Sequence, residues 1–266
     1  MSAAAGRLVF LTGASSGLGQ ALALACARRG WRVVLVGRSP QALRNWVGQQ
    51  DLDALRVQVV GADVRDRDSI REAGERCLRE IGVPDVVIAC AGISYGIDPA
   101  LAEDLEVLDD IVRTNLLGLA ATFQPFIGPM KQAGAGMLVG IASVAAIRGL
   151  PGHGGYCASK AGAVAYCESL RVELAPAGVK VVTILPGFID TAMTRGNPYP
   201  MPFLLTPQQF AERALRVIEH GRCWAVIPGP MAVVAAVLRV LPRPLYDWLM
   251  RGRRRKPRRS AQQKGT

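Results

Sequence analysis

The sequence predicts an α/β chain built as one doubly wound parallel sheet of about seven strands, with helices on both faces. Three observations carry that prediction. Short runs apolar at every position alternate with longer segments of helical periodicity; strands apolar on both faces belong to parallel sheets covered from both sides. Half of the 266 residues are apolar and one in five is charged, enough for a single large core and too little polarity for extensive disorder. No repeat or linker interrupts the pattern before a basic C-terminal stretch, so residues 1–230 read as one domain.

In chain order, strands are predicted over 8–12, 32–37, 57–60, 85–89, 137–142, 179–185 and 224–227, and helices over 17–29, 40–50, 68–81, 104–132, 156–175 and 206–220. The last helix has a clear start, with Thr206 as N-cap, Pro207 at the first helical position and Gln209 completing a capping box.

The first strand runs into Thr12-Gly13-Ala14-Ser15-Ser16-Gly17-Leu18-Gly19 and then a helix. Glycines there permit a tight turn, close backbone approach to a pyrophosphate and close packing of helix on strand. The phosphates would lie at the helix N-terminus, where free N–H groups and the dipole favour negative charge. This placement marks a Rossmann-type dinucleotide site at Gly13, Ser15, Ser16, Gly17, Leu18 and Gly19. The second strand ends Gly37-Arg38-Ser39. A carboxylate at this point would hold the ribose hydroxyls of NAD, whereas Arg38 offers a guanidinium to a 2′-phosphate, favouring NADP(H). The competing reading is a solvated strand-end arginine.

Tyr156 and Lys160 stand four apart on an apolar helix, hence on one face. A phenol is a poor base at neutral pH, and a neighbouring ammonium would lower its pKa and fit it for proton transfer. Taken alone, the spacing more often marks a surface pair. Thirteen residues upstream, Ser143 follows a buried strand at the edge where α/β sheets bind ligands.

With these motifs in order, the chain resembles the short-chain dehydrogenase/reductase family over about 7–230, through TGxxxGxG, Asp63-Val64, Asn115, Ser143, Tyr156, Lys160 and Pro186-Gly187. The resemblance implies hydride transfer between a nicotinamide and a carbonyl or alcohol. Tyr156 would be the acid/base and Ser143 would orient the carbonyl. Lys160 would bind the nicotinamide ribose and lower the Tyr156 pKa, and Asn115 would hold a relay water. Asp63 and Val64 would meet the adenine, Ala91 and Gly92 the adenosine ribose, and Pro186, Gly187, Ile189 and Thr191 the nicotinamide. Arg38 and Ser39 would take the 2′-phosphate. One departure is Cys90 in Cys90-Ala91-Gly92, where the family carries asparagine; a second is Ser16, often basic in NADP-preferring relatives. Such a protein is expected to be a homodimer or homotetramer. The alternative function is a catalytically idle NADP(H)-binding sensor or scaffold, which loss of the tyrosine or lysine would signal; both are present.

The segment after Pro186-Gly187 contains Met193, Met201, Phe203, Leu204 and Leu205, favouring an apolar or lipid-like substrate. His153 lies in a glycine-rich loop near the predicted site and could touch substrate, but reads more readily as a solvated loop residue; His220 reads as a helix-end cation, and no metal site is assigned. Six scattered cysteines read as reduced, buried thiols of a cytoplasmic protein, and the N-terminus has no signal-peptide pattern.

The formal charge of +11 suggests nucleic acid until it is located. Eight of the basic residues fall within Arg251–Thr266, which has no acid, leaving +3 for the rest. No base-reading module accompanies them, so no nucleic-acid partner is expected. Residues 231–250 form an apolar, aromatic extension, too interrupted by Arg239, Pro242, Arg243, Pro244 and Asp247 to span a bilayer. Two readings stand: a surface anchor on an anionic membrane face, or packing on a partner subunit or over the substrate cleft. Residues 251–266 read as a disordered solvated tail.

Overall fold

The computed structural model describes residues 6–50, 52 and 56–260. Seven strands form one sheet: β1 (Leu8–Thr12), β2 (Arg32–Gly37), β3 (Val57–Gly61), β4 (Val86–Ala89), β5 (Met137–Ile141), β6 (Lys180–Pro186) and β7 (Trp224–Ile227). Their order is β3-β2-β1-β4-β5-β6-β7, and every neighbouring pair is parallel. The doubly wound sheet predicted from the apolar runs is the sheet observed.

Among the described residues ten helices surround it: α1 (Gly17–Arg28), α2 (Pro40–Gly48), α3 (Arg67–Glu80), α4 (Glu103–Val112), α5 (Gly118–Ala133), α6 (Gly154–Leu174), α7 (Ala192–Arg195), α8 (Pro207–Glu219), α9 (Pro230–Val240) and α10 (Arg243–Met250). On one face Leu22 of α1, Leu43 of α2 and Phe210 of α8 pack against β1, β2 and β5. On the other, Ile70 of α3, Phe123 and Phe126 of α5 and Leu170 of α6 cover the same strands. Burying both faces keeps water from the strand backbones and leaves the carboxyl edge of the sheet as the open side. Strand order reverses between β1 and β4, and a ligand crevice opens at that edge.

The single helix predicted over 104–132 is two helices joined by a π-helical turn at Arg113–Leu117. One inserted residue there turns Asn115 inward, where it is fully buried. The capping box of α8 forms as predicted, with Thr206 Oγ1 accepting from Gln209 N at 3.2 Å and Gln209 Oε1 accepting from Thr206 N at 3.1 Å.

The basic tail departs from expectation. Residues 251–255 are exposed, but 256–259 are not a solvated tether. Arg258 pairs with Asp104 and Glu103, Arg259 pairs with Asp110, and Lys256 is buried. Acids of α4 absorb the charge of Arg258 and Arg259, a complementarity that composition alone hid. Residues 261–266 lie outside the described residues. Five cysteines are buried as expected, but Cys223 is exposed, because it precedes edge strand β7.

Candidate active site

The glycine loop and the segment after β4 meet at the reversal point. Gly13 has φ +74°, and a Cβ there would lie 2.6 Å from Ala91 N. A Cβ on Gly19 would lie 2.1 Å from Gly13 O, so α1 docks on its own loop only because that residue is glycine. Gly17 is different: its nearest neighbour would be Thr191 Cγ2 at 3.6 Å. Helix α1 starts at Ser16 with no side-chain cap and no acid in its first turn. By contrast, Asp66 caps α3 through Asp68 N and Ser69 N. The first-turn N–H groups of α1 are therefore donors held ready for an anion.

Beside this cradle, a Cβ on Gly37 would fall 2.2 Å from Ser15 Oγ, so even a short side chain there requires Ser15 to rotate away. Arg38 and Ser39 are exposed at the rim, and no hydrogen bond or ion pair holds Arg38 among the described residues. Asp63 lies nearby. Burial would raise its carboxyl, but hydrogen bonds from the Arg65 guanidinium and backbone, with the charge of Arg38, hold it below its ordinary value. Val64 is buried against Gly118. An open cavity of about 410 Å³ borders this corner, lined by Val64, Arg65, Asp109, Arg113 and Leu117.

The four expected catalytic side chains converge past the ends of β4 and β5. Asn115 accepts from Ile93 N at 2.8 Å and donates through Nδ2 to Ile93 O at 2.9 Å and Ser159 Oγ at 3.0 Å. It thus pins the strand-end loop to α6. A Cβ on Gly92 would lie 3.3 Å from Asn115 Oδ1 and 3.5 Å from Lys160 Nζ, which fixes how closely these groups gather. Lys160 donates to Ile141 O at 2.8 Å, and burial lowers its pKa to about 8. Ser143 Oγ accepts from Ala145 N at 3.1 Å and shares a hydrogen bond with Tyr156.

One expectation is reversed. Burial pushes the Tyr156 phenol above its ordinary value, and the Ser143 hydrogen bond only partly offsets this. Lys160 directs its ammonium at the Ile141 carbonyl, and its positive charge is itself disfavoured by burial. Cys90, in the family's asparagine position, is a buried thiol pushed up to about 12 by burial, hence neutral.

The residues expected beside a nicotinamide lie after β6. Pro186 is buried at the strand end, Gly187 N donates to Ile227 O at 2.8 Å, and Ile189 bridges to Leu205. Thr191 caps α7 through Thr194 and faces Gly17, so this segment closes onto the glycine loop.

Two side chains had no sequence signal for their position. His153 is buried, not solvated, and its Nε2 meets the Tyr199 hydroxyl at 3.0 Å. Burial, aided by the charge of Lys256, lowers it to about 4, so it is neutral. Lys256 reaches Met193 O at 2.9 Å, a contact across 63 residues that no local pattern could announce.

A sequence profile of the short chain dehydrogenase family matches residues 7–199, and the chain belongs to that family. It is 39% identical over 241 residues to an uncharacterized oxidoreductase of Myxococcus xanthus, covering 91% of this chain and 95% of that protein. It is also similar to Dehydrogenase/reductase SDR family member 7B of Xenopus tropicalis, at 30% identity over 95% of this chain and 87% of that one. Among solved structures, a short chain dehydrogenase from Burkholderia cenocepacia in complex with NADP superposes with TM-score 0.79 at 26% identity, covering 93% of this chain and 98% of that one. An alcohol dehydrogenase from Thermococcus sibiricus complexed with 5-hydroxy-NADP gives 0.69 at 29% identity, over 80% and 90%. The chain is therefore an oxidoreductase of a family that uses a nicotinamide cofactor.

Proposed function

We propose that the protein is an NADP(H)-dependent dehydrogenase or reductase acting on a carbonyl or secondary alcohol, with an apolar or lipid-like substrate. The observation that carries this reading is the convergence of Ser143, Tyr156, Lys160 and Asn115 beside an uncapped, glycine-built helix start. The cradle fits a dinucleotide: Gly13 and Gly19 leave no room for side chains, and the α1 donors suit a pyrophosphate. Arg38, exposed and unpaired among the described residues beside a position that Ser15 keeps bare, supports a 2′-phosphate and hence NADP(H). The neighbour from Burkholderia cenocepacia holding NADP supports the same choice.

When bound, the nicotinamide supplies or accepts the hydride. In reduction, Tyr156 donates its proton to the carbonyl oxygen as the carbon receives hydride; in oxidation it takes the proton back. A phenol held above its ordinary value is protonated at neutral pH, the form that reduction needs. Ser143 donates to the same oxygen and stabilises its developing charge. Lys160 binds the ribose and shuttles protons, with Asn115 fixing the loop beside it. Exposed Met193, Phe203 and Leu204 on the segment after β6 supply an apolar approach for substrate.

The test is NADPH oxidation across aliphatic, steroid and aromatic carbonyls. Turnover with medium-chain or steroid carbonyls is expected. NADPH binding without turnover of any carbonyl or alcohol would favour the idle sensor.

A second reading concerns α9 and α10. Val233, Val237, Val240 and Trp248 face outward, Val240 79% and Trp248 67% exposed, and Arg239, Arg243, Arg251 and Arg253 are exposed around them. Among the described residues no helix is long and apolar enough to cross a membrane. We infer contact with an anionic lipid surface, since a face rimmed by arginines would repel its own copy. Co-sedimentation with anionic but not neutral liposomes is expected, weakened by salt and by Trp248→Ser. Protein remaining in the supernatant at low salt would remove this reading.

A further inference from the structure

The tail crosses the substrate side of the cleft in an extended run that touches all three loops leaving the carboxyl ends of β4, β5 and β6. At the first loop, Gly96 N donates to Pro257 O at 3.0 Å, and a Cβ on Gly96 would lie 2.0 Å from Lys256 O. At the second, a Cβ on Gly152 would lie 2.9 Å from Arg255 Cβ. These two glycines let the tail lie against the loops that precede α4 and α6. At the third, Lys256 Nζ donates to Met193 O and Arg254 to Pro198 O at 3.2 Å.

Anchoring is ionic and specific. Asp104 is 5% exposed; it accepts from Asp98 N at 2.7 Å and from Arg258 Nε and a terminal guanidinium nitrogen at 2.7 and 2.9 Å. A carboxylate buried this deeply requires a cation, and Arg258 is the one it has among the described residues. Arg259 pairs with Asp110 at 2.8 Å and stacks over Tyr95 at 4.6 Å. Lys256 is itself only 5% exposed, with a neutral carbonyl as its partner. A lysine buried against a single carbonyl costs desolvation that a solvent-facing side chain would avoid. What that contact achieves is a link across the cleft, from the first two loops to the part of the segment after β6 that follows Thr191.

We propose that residues 254–259 form a strap that closes the substrate side of the cleft, and that Lys256 is a positioning residue holding the segment after β6 against it. The strap shapes the inner wall: it lies beside His153, whose partner Tyr199 belongs to the same segment. Its kinetic consequence rests on the oxidoreductase reading; its structural consequence does not.

The experiment compares full-length wild type, Lys256→Met and Lys256→Arg by hydrogen–deuterium exchange over 92–98 and 188–201, and by decanal reduction with NADPH. Melting temperature and NADPH affinity report that each variant is folded. In Lys256→Met, exchange over 188–201 should rise and KM for decanal should increase roughly tenfold, the loss of one charge-assisted hydrogen bond, with kcat and NADPH affinity little changed. Lys256→Arg should restore most of both. A folded Lys256→Met protein with wild-type exchange overturns the strap, whatever its kinetics. If wild type reduces no carbonyl, the catalytic reading fails while the exchange data still decide the strap. Equal falls in kcat and kcat/KM for Lys256→Met without a KM change would contradict the positioning role.

Discussion

The side of the cleft proposed for the cofactor is bare backbone and short side chains, whereas the side proposed for the substrate is a gathering of long polar groups from distant segments. On the first side, Gly13, Gly19 and Gly37 work by absence, each keeping space that a Cβ would take from a neighbouring loop or side chain. On the second, His153, Tyr199, Lys256 and Arg258 work by reach, and their contacts span 46 to 154 residues. A site of the first kind is rigid and set by local chain geometry. A site of the second kind depends on side chains meeting across the molecule, among them a buried histidine that makes it answer to pH. One family can thereby keep its cofactor geometry and vary its substrate wall.

The largest expected effect strikes the bare side. Gly19→Ala forces a Cβ to within 2.1 Å of Gly13 O, so α1 must leave its loop. NADPH affinity should fall by more than about a hundredfold, and the melting temperature should drop as well. Gly17→Ala sharpens the comparison, because its Cβ would find only ordinary contact with Thr191. It should melt like wild type and lose affinity alone; fluorescence titration beside thermal melting separates the two. Equal behaviour of both variants would show that steric exclusion is not what shapes the cradle.

Smaller is the effect at Arg38, a rim charge. Arg38→Ala should weaken NADPH by about ten- to a hundredfold and leave NADH nearly unchanged. Equal losses would mean that the guanidinium is only solvated.

The same division explains what was legible in the sequence. Strand positions, the glycine cradle and the cap at Thr206 follow from spacing within a few residues, and the fold matched those readings closely. Asn115 was identified through family resemblance, but the π turn that buries it leaves no periodic trace, since one inserted residue barely disturbs an apolar helix pattern. The Tyr156–Lys160 pair was visible, yet its electrostatics were not, because the direction of the Lys160 ammonium depends on a β5 carbonyl. Least legible was the tail. Eight cations without an acid look like a solvated run until Asp104 and Asp110 are known to face Arg258 and Arg259.

A gentler effect comes from His153 on the crowded side. Its pKa falls from the ordinary 6.5 to about 4 in the folded protein. Between those values the unfolded chain binds a proton that the native state refuses, so stability present above pH 6.5 is lost as pH falls toward 4. Across that fall the loss is on the order of 3 kcal/mol, using about 1.4 kcal/mol per pKa unit. The fall in melting temperature from pH 7 to 4.5 should therefore be smaller in His153→Gln than in wild type. Identical pH dependences would show that His153 protonates freely in the fold.

The central claim, that Tyr156 exchanges a proton with the substrate at a nicotinamide site, is tested most directly by Tyr156→Phe. Removing the hydroxyl alone leaves the ring in place beneath Ser143. With the best carbonyl from the NADPH screen, single-turnover hydride transfer should fall by about a thousandfold or more, in keeping with the loss of a general acid, while NADPH titrates as in wild type. Hydride transfer at near wild-type rate in the folded variant would contradict the account.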